Sequence, residues 1–356
     1  MNIEKLLTDV FNPQANDVAV VLCDIPHTNI EDNSKWYERR IMAQEWREAF
    51  ISLSQKIGFK VLPLIEFPAS GAHSKNVPME LGTPRSIDSA FAQSTLAVAL
   101  TEFSITPLLM NYSKQRKNFR SASLPIVEKR MEKTALAADY KEVYRRCLVV
   151  EELMKNIKGA NVKFSTGHDC YFDLRFRTVR KDSGRLHQGD SPEFPFMNLP
   201  SGEVYMVPYE GEKDCKSETA GLIPAFINNE SVVLKIAANK IVEVSDFETS
   251  AENCRNLFAQ DPARRNIAEF AIGCNPWAVV TGNILEDEKA GFHWAFGRSE
   301  HIGGIIKPSD FISSENVLHV DVVYAKDSKY QVDFLEFIYD DNSKKNIIEN
   351  REYLIF

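Results

Sequence analysis

Six side chains that can bind metal ions are spread along the second half of this 356-residue chain. They comprise four carboxylates and two imidazoles: Glu203, Glu269, Glu300, Asp321, His293 and His319. Imidazole nitrogen together with carboxylate oxygen is a ligand set that suits zinc, cobalt or manganese. Six such groups could hold two ions, which would bridge one water and polarise a carbonyl for hydrolysis. The residue types predict metal-assisted hydrolysis, provided that the fold brings them together.

The segment "NVLHVDVVYA" (316–325) reads as a strand. His319 and Asp321 lie two residues apart, so both would point to one face while the apolar residues point to the other. An unpaired charge beside a core is costly, so this pair needs a partner or a metal. A hydrogen-bonded His–Asp pair that only joins two strands explains the same pattern, and it is the favoured reading for the pair taken alone.

The other candidates are also weak when each is taken alone. Glu269 lies inside the apolar run "NIAEFAIG", where burial disfavours the ionised carboxylate unless positive charge is close. Glu203 begins the strand-like run "EVYMVP", and a strand-end acid that faces water is the common alternative. His293 and Glu300 belong to "AGFHWAFGRSEH". The prediction of a site depends on their convergence.

The elements that must position these residues show two different sequence patterns along the chain. Strand-like runs such as "VAVVLC" (18–23) and "TLAVAL" alternate early in the chain with helical runs such as 36–58, which predicts a parallel sheet with covering helices. Short alternating stretches separated by Gly, Asn and Asp follow, which predicts antiparallel strands. The expected fold is α/β plus α+β: an α/β domain over 1–135, a helical connector over 136–159 and a β-rich catalytic domain with few helices over 160–356.

Composition and local patterns exclude several functions. The net charge of −8 and the pI near 5.5 argue against a general nucleic-acid binder, which needs a basic footprint. The turn after "VAVVLC" is "DIPHTN", which lacks the glycine patterns of dinucleotide and P-loop sites. The sequence shows no secretory signal pattern, no bilayer-spanning run and no CxxC pair. We expect a cytoplasmic protein that binds neither nucleic acid nor membrane.

Four segments of the second half resemble, in order and spacing, those of the thermophilic-type metallo-aminopeptidases, which include aminopeptidase T and aminopeptidase S. The segments are "SGEVYMVP", "NIAEFAIG", "DEKAGFHWAFG" and "LHVDVV". The first half resembles that family only in its general alternation of strand-like and helix-like runs. The resemblance implies a two-metal aminopeptidase that uses zinc, cobalt or manganese, acts on small peptides and pairs as a homodimer.

The resemblance also implies residue roles. The matched metal ligands are Glu203, Glu269, His293, His319 and Asp321. Glu269 would in addition act as general base towards the bridging water. Seven residues after His293 the family has a tyrosine, whereas this chain has Glu300, which can coordinate metal but cannot donate a phenolic hydrogen bond. We therefore include Glu300 among the expected ligands and catalytic residues. Lys289 replaces an asparagine of the family.

A more distant resemblance leaves the reaction open. The 2,5-dihydroxypyridine ring-cleaving dioxygenases hold a single iron(II) with two histidines and an aspartate. They have a histidine at the position of Glu269 and none at that of His293, so this chain matches the aminopeptidases at both positions. His293, His319 and Asp321 could still form a two-histidine, one-carboxylate iron(II) site. The sequence favours a peptidase, with the dioxygenase and a non-catalytic descendant that keeps the pocket as alternatives.

Overall fold

The computed structural model describes residues 1–27, 30–73, 84–116, 118–190 and 195–356. The chain forms two compact units, and each draws on segments that are distant in sequence. The first unit comprises Met1–Tyr144, Asp182–Ser201 and Asn275–Ala278. The second comprises Arg145–Lys181, Gly202–Cys274 and Val279–Phe356. All six predicted site residues belong to the second unit.

The helices and strands are numbered along the chain. The α-helices in the described residues are α1 (Ile3–Phe11), α2 (Ser34–Ile57), α3 (Pro84–Gln93), α4 (Thr106–Gln115), α5 (Tyr140–Met154), α6 (Glu252–Ala259) and α7 (Ile284–Asp287). The strands up to β9 are β1 (Val18–Ile25), β2 (Lys60–Val61), β3 (Ile65–Pro68), β4 (Leu96–Thr101), β5 (Arg120–Pro125), β6 (Ile157–Phe164), β7 (Asp169–Asp173), β8 (Arg180–Asp182) and β9 (Phe196–Asn198). The later strands are β10 (Glu203–Met206), β11 (Ala220–Ile227), β12 (Glu230–Ala237), β13 (Lys240–Asp246), β14 (Ile267–Gly273), β15 (Phe292–Gly297), β16 (His319–Tyr324), β17 (Val332–Tyr339), β18 (Lys344–Glu349) and β19 (Glu352–Tyr353).

A parallel sheet forms the centre of the first unit. Its strand order is β2-β1-β4-β5-β9, and β3 also pairs with β1. The apolar runs β1 and β4 are buried along nearly their whole length, as expected for strands that are covered on both faces. Helix α2 begins after Asn33, whose side chain accepts a hydrogen bond from the Trp36 N–H, and ends at the left-handed Gly58. The predicted α/β architecture is confirmed.

Antiparallel sheets dominate the second unit, as predicted. One sheet has the order β13-β12-β11-β7-β6-β17-β18-β19, and the other has the order β16-β15-β14-β10-β8. Phe270 on β14 joins them, because its ring lies 5.2 Å from that of Phe172 on β7 and 6.2 Å from that of Phe337 on β17. The face of the five-stranded sheet that carries Phe270 is therefore apolar, which leaves the opposite face for polar side chains.

No helix among the described residues combines the length and the apolar character needed to cross a bilayer.

Candidate metal centre

Five of the six predicted site residues share one face of the five-stranded sheet: Glu203, Glu269, His293, His319 and Asp321. Glu269 and His293 alternate along their strands with Phe270 and Phe292, whose rings pack together on the opposite face. Ala295 pairs across strands with both Glu269 and Asp321, and Ala271 pairs with His293. These small side chains leave room for the longer polar groups to converge.

Glu203, Glu269 and His293 form the first group, in which ligand atoms lie within 4.8 Å of one another. The Nε2 atom of the fully buried His293 lies 3.4 Å from Glu203 Oε2 and 3.8 Å from Glu269 Oε1. Within the described residues this Nε2 makes no hydrogen bond. His293 Nδ1 lies 3.3 Å from the carbonyl oxygen of Gly291, which can only accept, so Nδ1 carries a proton. Nε2 thus faces two carboxylates, an arrangement that requires a proton or a metal ion between them.

Glu269, His319 and Asp321 form the second group, again with ligand atoms within 4.8 Å of one another. His319 Nε2 lies 3.0 Å from Glu269 Oε2 and 3.6 Å from Asp321 Oδ1. His319 Nδ1 donates to the carbonyl oxygen of Arg298 at 2.7 Å, which directs Nε2 towards the carboxylates. Glu269 therefore offers one oxygen to each group and joins the two.

The carboxylates strongly favour positive charge in this buried centre. Burial acts to lower the pKa of His293, but Glu203, Glu269 and Asp321 outweigh it and raise that pKa to about 9. The pKa of His319 is raised well above its usual value, because Asp321 and Glu269 likewise overcome the effect of burial. Burial raises the pKa of Glu269 despite both imidazoles. Without a metal the histidines hold protons, and an ion bound there would displace them.

Lys289 is the partner of Glu203 that the sequence reasoning did not anticipate. Its fully buried Nζ donates to Glu203 Oε1 at 2.6 Å and also contacts the carboxylate of Glu288. Burial acts to raise the pKa of Glu203, but Lys289 and His293 outweigh it and the pKa is lowered. Burial raises the pKa of Glu288 well above its usual value. The signal was present in "ILEDEKAGFHW", where the lysine directly follows three acids and precedes an aromatic-rich run.

The backbone around Lys289 is held close to β14. A Cβ atom placed on Gly273 would lie 2.5 Å from the nitrogen of Gly291 and 2.6 Å from the carbonyl oxygen of Lys289. Only glycine allows this approach without a shift of the backbone. The segment that carries the ammonium group is thereby fixed beside Glu203, which pairs with Gly273 across strands.

Glu300 does not belong to either group of potential ligands in the described part of the chain. Its carboxylate accepts hydrogen bonds from Arg298 Nε at 2.7 and 2.9 Å, and its side chain is 29% exposed, against 8% for Glu269. Metal binding by Glu300 remains a prediction that this geometry does not favour. The ring of His301 packs edge-on against that of His319, with centroids 4.9 Å apart.

A buried carboxylate anchors the loop that follows β15, and sequence reasoning also missed it. Glu210 accepts hydrogen bonds from Ser299 Oγ at 2.6 Å, from the Ile305 N–H at 2.7 Å and from Asn266 Nδ2 at 2.8 Å. This network fixes the loop whose Arg298 carbonyl orients His319.

Solved structures that share this fold include two enzymes, whereas no family model and no curated protein matches the chain. The 2,5-dihydroxypyridine dioxygenase of Pseudomonas putida KT2440 aligns over 99% of this chain and 96% of its own, with a TM-score of 0.67 and 18% identity. AmpT, an aminopeptidase of Thermus thermophilus, aligns over 99% of both chains, with a TM-score of 0.60 and 15% identity. Both neighbours are enzymes, and at these identities the likeness is one of fold alone.

Proposed function

We propose that this chain is a metal-dependent hydrolase of the aminopeptidase type, which removes N-terminal residues from small peptides. The observation that carries the proposal is the separation of the two histidines. Among the described residues, His293 and His319 fall in different groups, and Glu269 joins the groups. Each group thus has one imidazole and two carboxylates, an oxygen-rich set that suits zinc, cobalt or manganese.

The same separation argues against the iron(II) dioxygenase. That centre needs two imidazoles and one carboxylate around a single ion. His293 Nε2 is gathered instead with Glu203 and Glu269, apart from His319 and Asp321. The fold alone does not distinguish the two reactions, because a dioxygenase and an aminopeptidase both share it.

The donor atoms fit the predicted metal. Because each Nδ1 donates to a backbone carbonyl, each Nε2 would present a lone pair to an ion once it releases its proton, and Glu269 presents one oxygen to each group. Glu203 with His293, and Asp321 with His319, would complete the two ligand sets around Glu269. A bound ion would polarise the scissile carbonyl and lower the pKa of the attacking water.

The chain's own residues supply the proton transfer and the orientation. Glu269 would accept the proton of the attacking water, a role favoured by the burial that raises its pKa. The backbone carbonyls of Gly291 and Arg298 fix the ring orientations of His293 and His319. A carboxylate of the centre would also hold the free α-amino group of the peptide, which selects chain ends.

The substitution Glu269→Gln tests the assignment of the general base. At saturating metal, where the amide oxygen of Gln can still coordinate but cannot accept a proton, we expect peptidase turnover to fall by a factor of about 10²–10⁴. Glu243→Gln, on an exposed position of β13, is the matched control and should leave turnover unchanged. Turnover would be measured on aminoacyl p-nitroanilides after loading with zinc, cobalt or manganese, and metal content by elemental analysis. Substantial turnover by the Glu269→Gln variant would rule out this role for Glu269.

A further inference from the structure

We infer that the ammonium group of Lys289 takes the place of one of the two divalent ions, so that the chain keeps one resident ion, at Glu269, His319 and Asp321. This rests on the metal-dependent function proposed above and refines it. The sequence pattern predicts two ions, and Lys289 stands where the resembling family has a neutral asparagine.

The position of the ammonium group carries the inference. Lys289 Nζ is fully buried and lies 2.6 Å from Glu203 Oε1, with the carboxylate of Glu288 in contact. A buried ammonium has lost its water and depends on such carboxylates for stability, so it is not readily displaced. One of the two Glu203 oxygens is therefore already committed to a cation.

A divalent ion in the first group would have to share Glu203 with this ammonium. The remaining oxygen, Oε2, is the one that lies 3.4 Å from His293 Nε2. An ion held there would sit on the same carboxylate as Lys289, and two cations so close repel strongly in a buried site where water screens little. An Nε2 proton on His293 would satisfy Glu203 Oε2 instead.

The second group has no such competitor. Within the described residues, no lysine or arginine forms an ion pair with Glu269 or Asp321, and the charge of Lys289 acts on Asp321 only from a longer distance. The group is also more accessible, since the side chain of His319 is 18% exposed whereas that of His293 is fully buried. An ion could reach this group and keep a position open for substrate.

Metal stoichiometry tests the inference without relying on activity. Chelator-treated, full-length protein would be titrated with Mn²⁺ alone, and bound ions counted by calorimetry and elemental analysis. We expect one tightly bound ion per wild-type chain and two in Lys289→Asn and Lys289→Met. The second ion should bind the wild type at least about 100-fold more weakly than it binds these variants. Lys235→Asn, an exposed position on β12, is the control and should bind one ion.

Electron paramagnetic resonance gives an independent reading. The wild type should show the six-line signal of isolated Mn²⁺, and the Lys289 variants should show the broadened signal of a coupled pair. Two tightly bound ions in the wild type, or one ion in folded variants with Lys289 replaced, would overturn the inference. The number of ions bound by the wild type can refute the inference by itself, so the test does not depend on the folding of the Lys289 variants. If the wild type bound two ions and cleaved peptides, only this inference would be refuted. If it bound one ion and cleaved no peptide, only the proposed function would be refuted.

Discussion

Metal affinity should depend steeply on pH, because the ion and protons compete for the same imidazole nitrogens. The carboxylates raise the pKa of His293 to about 9 and raise that of His319 well above its usual value. Both Nε2 atoms are therefore protonated near neutral pH in the metal-free protein, and each imidazole that binds the ion must first release a proton.

The sign and size of the effect follow from this competition. Below the raised pKa, affinity falls as pH falls, by about tenfold per pH unit for each imidazole that binds the ion, or about 1.4 kcal/mol. One ion at His319 should therefore bind more weakly at pH 6 than at pH 8. Isothermal titration with Mn²⁺ in buffers of different ionisation enthalpy gives both the affinity and the number of protons released.

A matched variant separates proton competition from general effects of pH. His319→Gln removes the titrating ligand, so its remaining affinity should be lower and should change much less between pH 6 and 8. Wild-type affinity that stayed constant over this range, with no proton released, would refute the assignment of His319 as a protonated ligand. That result would mean that donor atoms other than His319 Nε2 hold the ion.

Three further substitutions test particular contacts. Glu300→Gln should leave metal content unchanged and cost at most about 1 kcal/mol of unfolding free energy, because Glu300 pairs with Arg298 at a partly exposed position. Gly273→Ala should destabilise the protein by about 1–3 kcal/mol, because the added methyl would overlap backbone atoms 2.5 Å away. Ser299→Ala should cost about 1–3 kcal/mol, because the buried Glu210 loses a donor at 2.6 Å.

Urea unfolding and elemental analysis check these three expectations. A fall in metal content in the Glu300 variant would restore that residue as a ligand. Wild-type stability in the Gly273 variant would show that the backbone beside Lys289 can shift freely. No change in the Ser299 variant would mean that water replaces the lost donor to Glu210.

The parts of the fold that sequence predicts are those that depend on local patterns. β1 and β4 are continuous apolar runs, which is what a parallel strand covered on both faces requires. The two-residue spacing of His319 and Asp321 places both on one face of β16, where they share the second group. Glu269 in an apolar run is buried, as its surroundings indicate.

Contacts that depend on strand register or chain path could not be predicted. β9 joins the parallel sheet by pairing with β5, although about 70 residues separate the two strands. The pairing of Lys289 with Glu203 needs the close approach of its turn to Gly273, which no local pattern specifies. Glu300 was expected at the metal by its position in a motif, whereas Arg298, two residues away, engages its carboxylate.

The proposed function is tested most directly by comparing a free peptide with its N-acetylated form. The chelator-treated protein should cleave neither, and addition of zinc, cobalt or manganese should restore release of the N-terminal residue from the free peptide only. Failure to release N-terminal residues from any peptide with each of these ions, or consumption of 2,5-dihydroxypyridine with iron(II) and oxygen, would contradict the account.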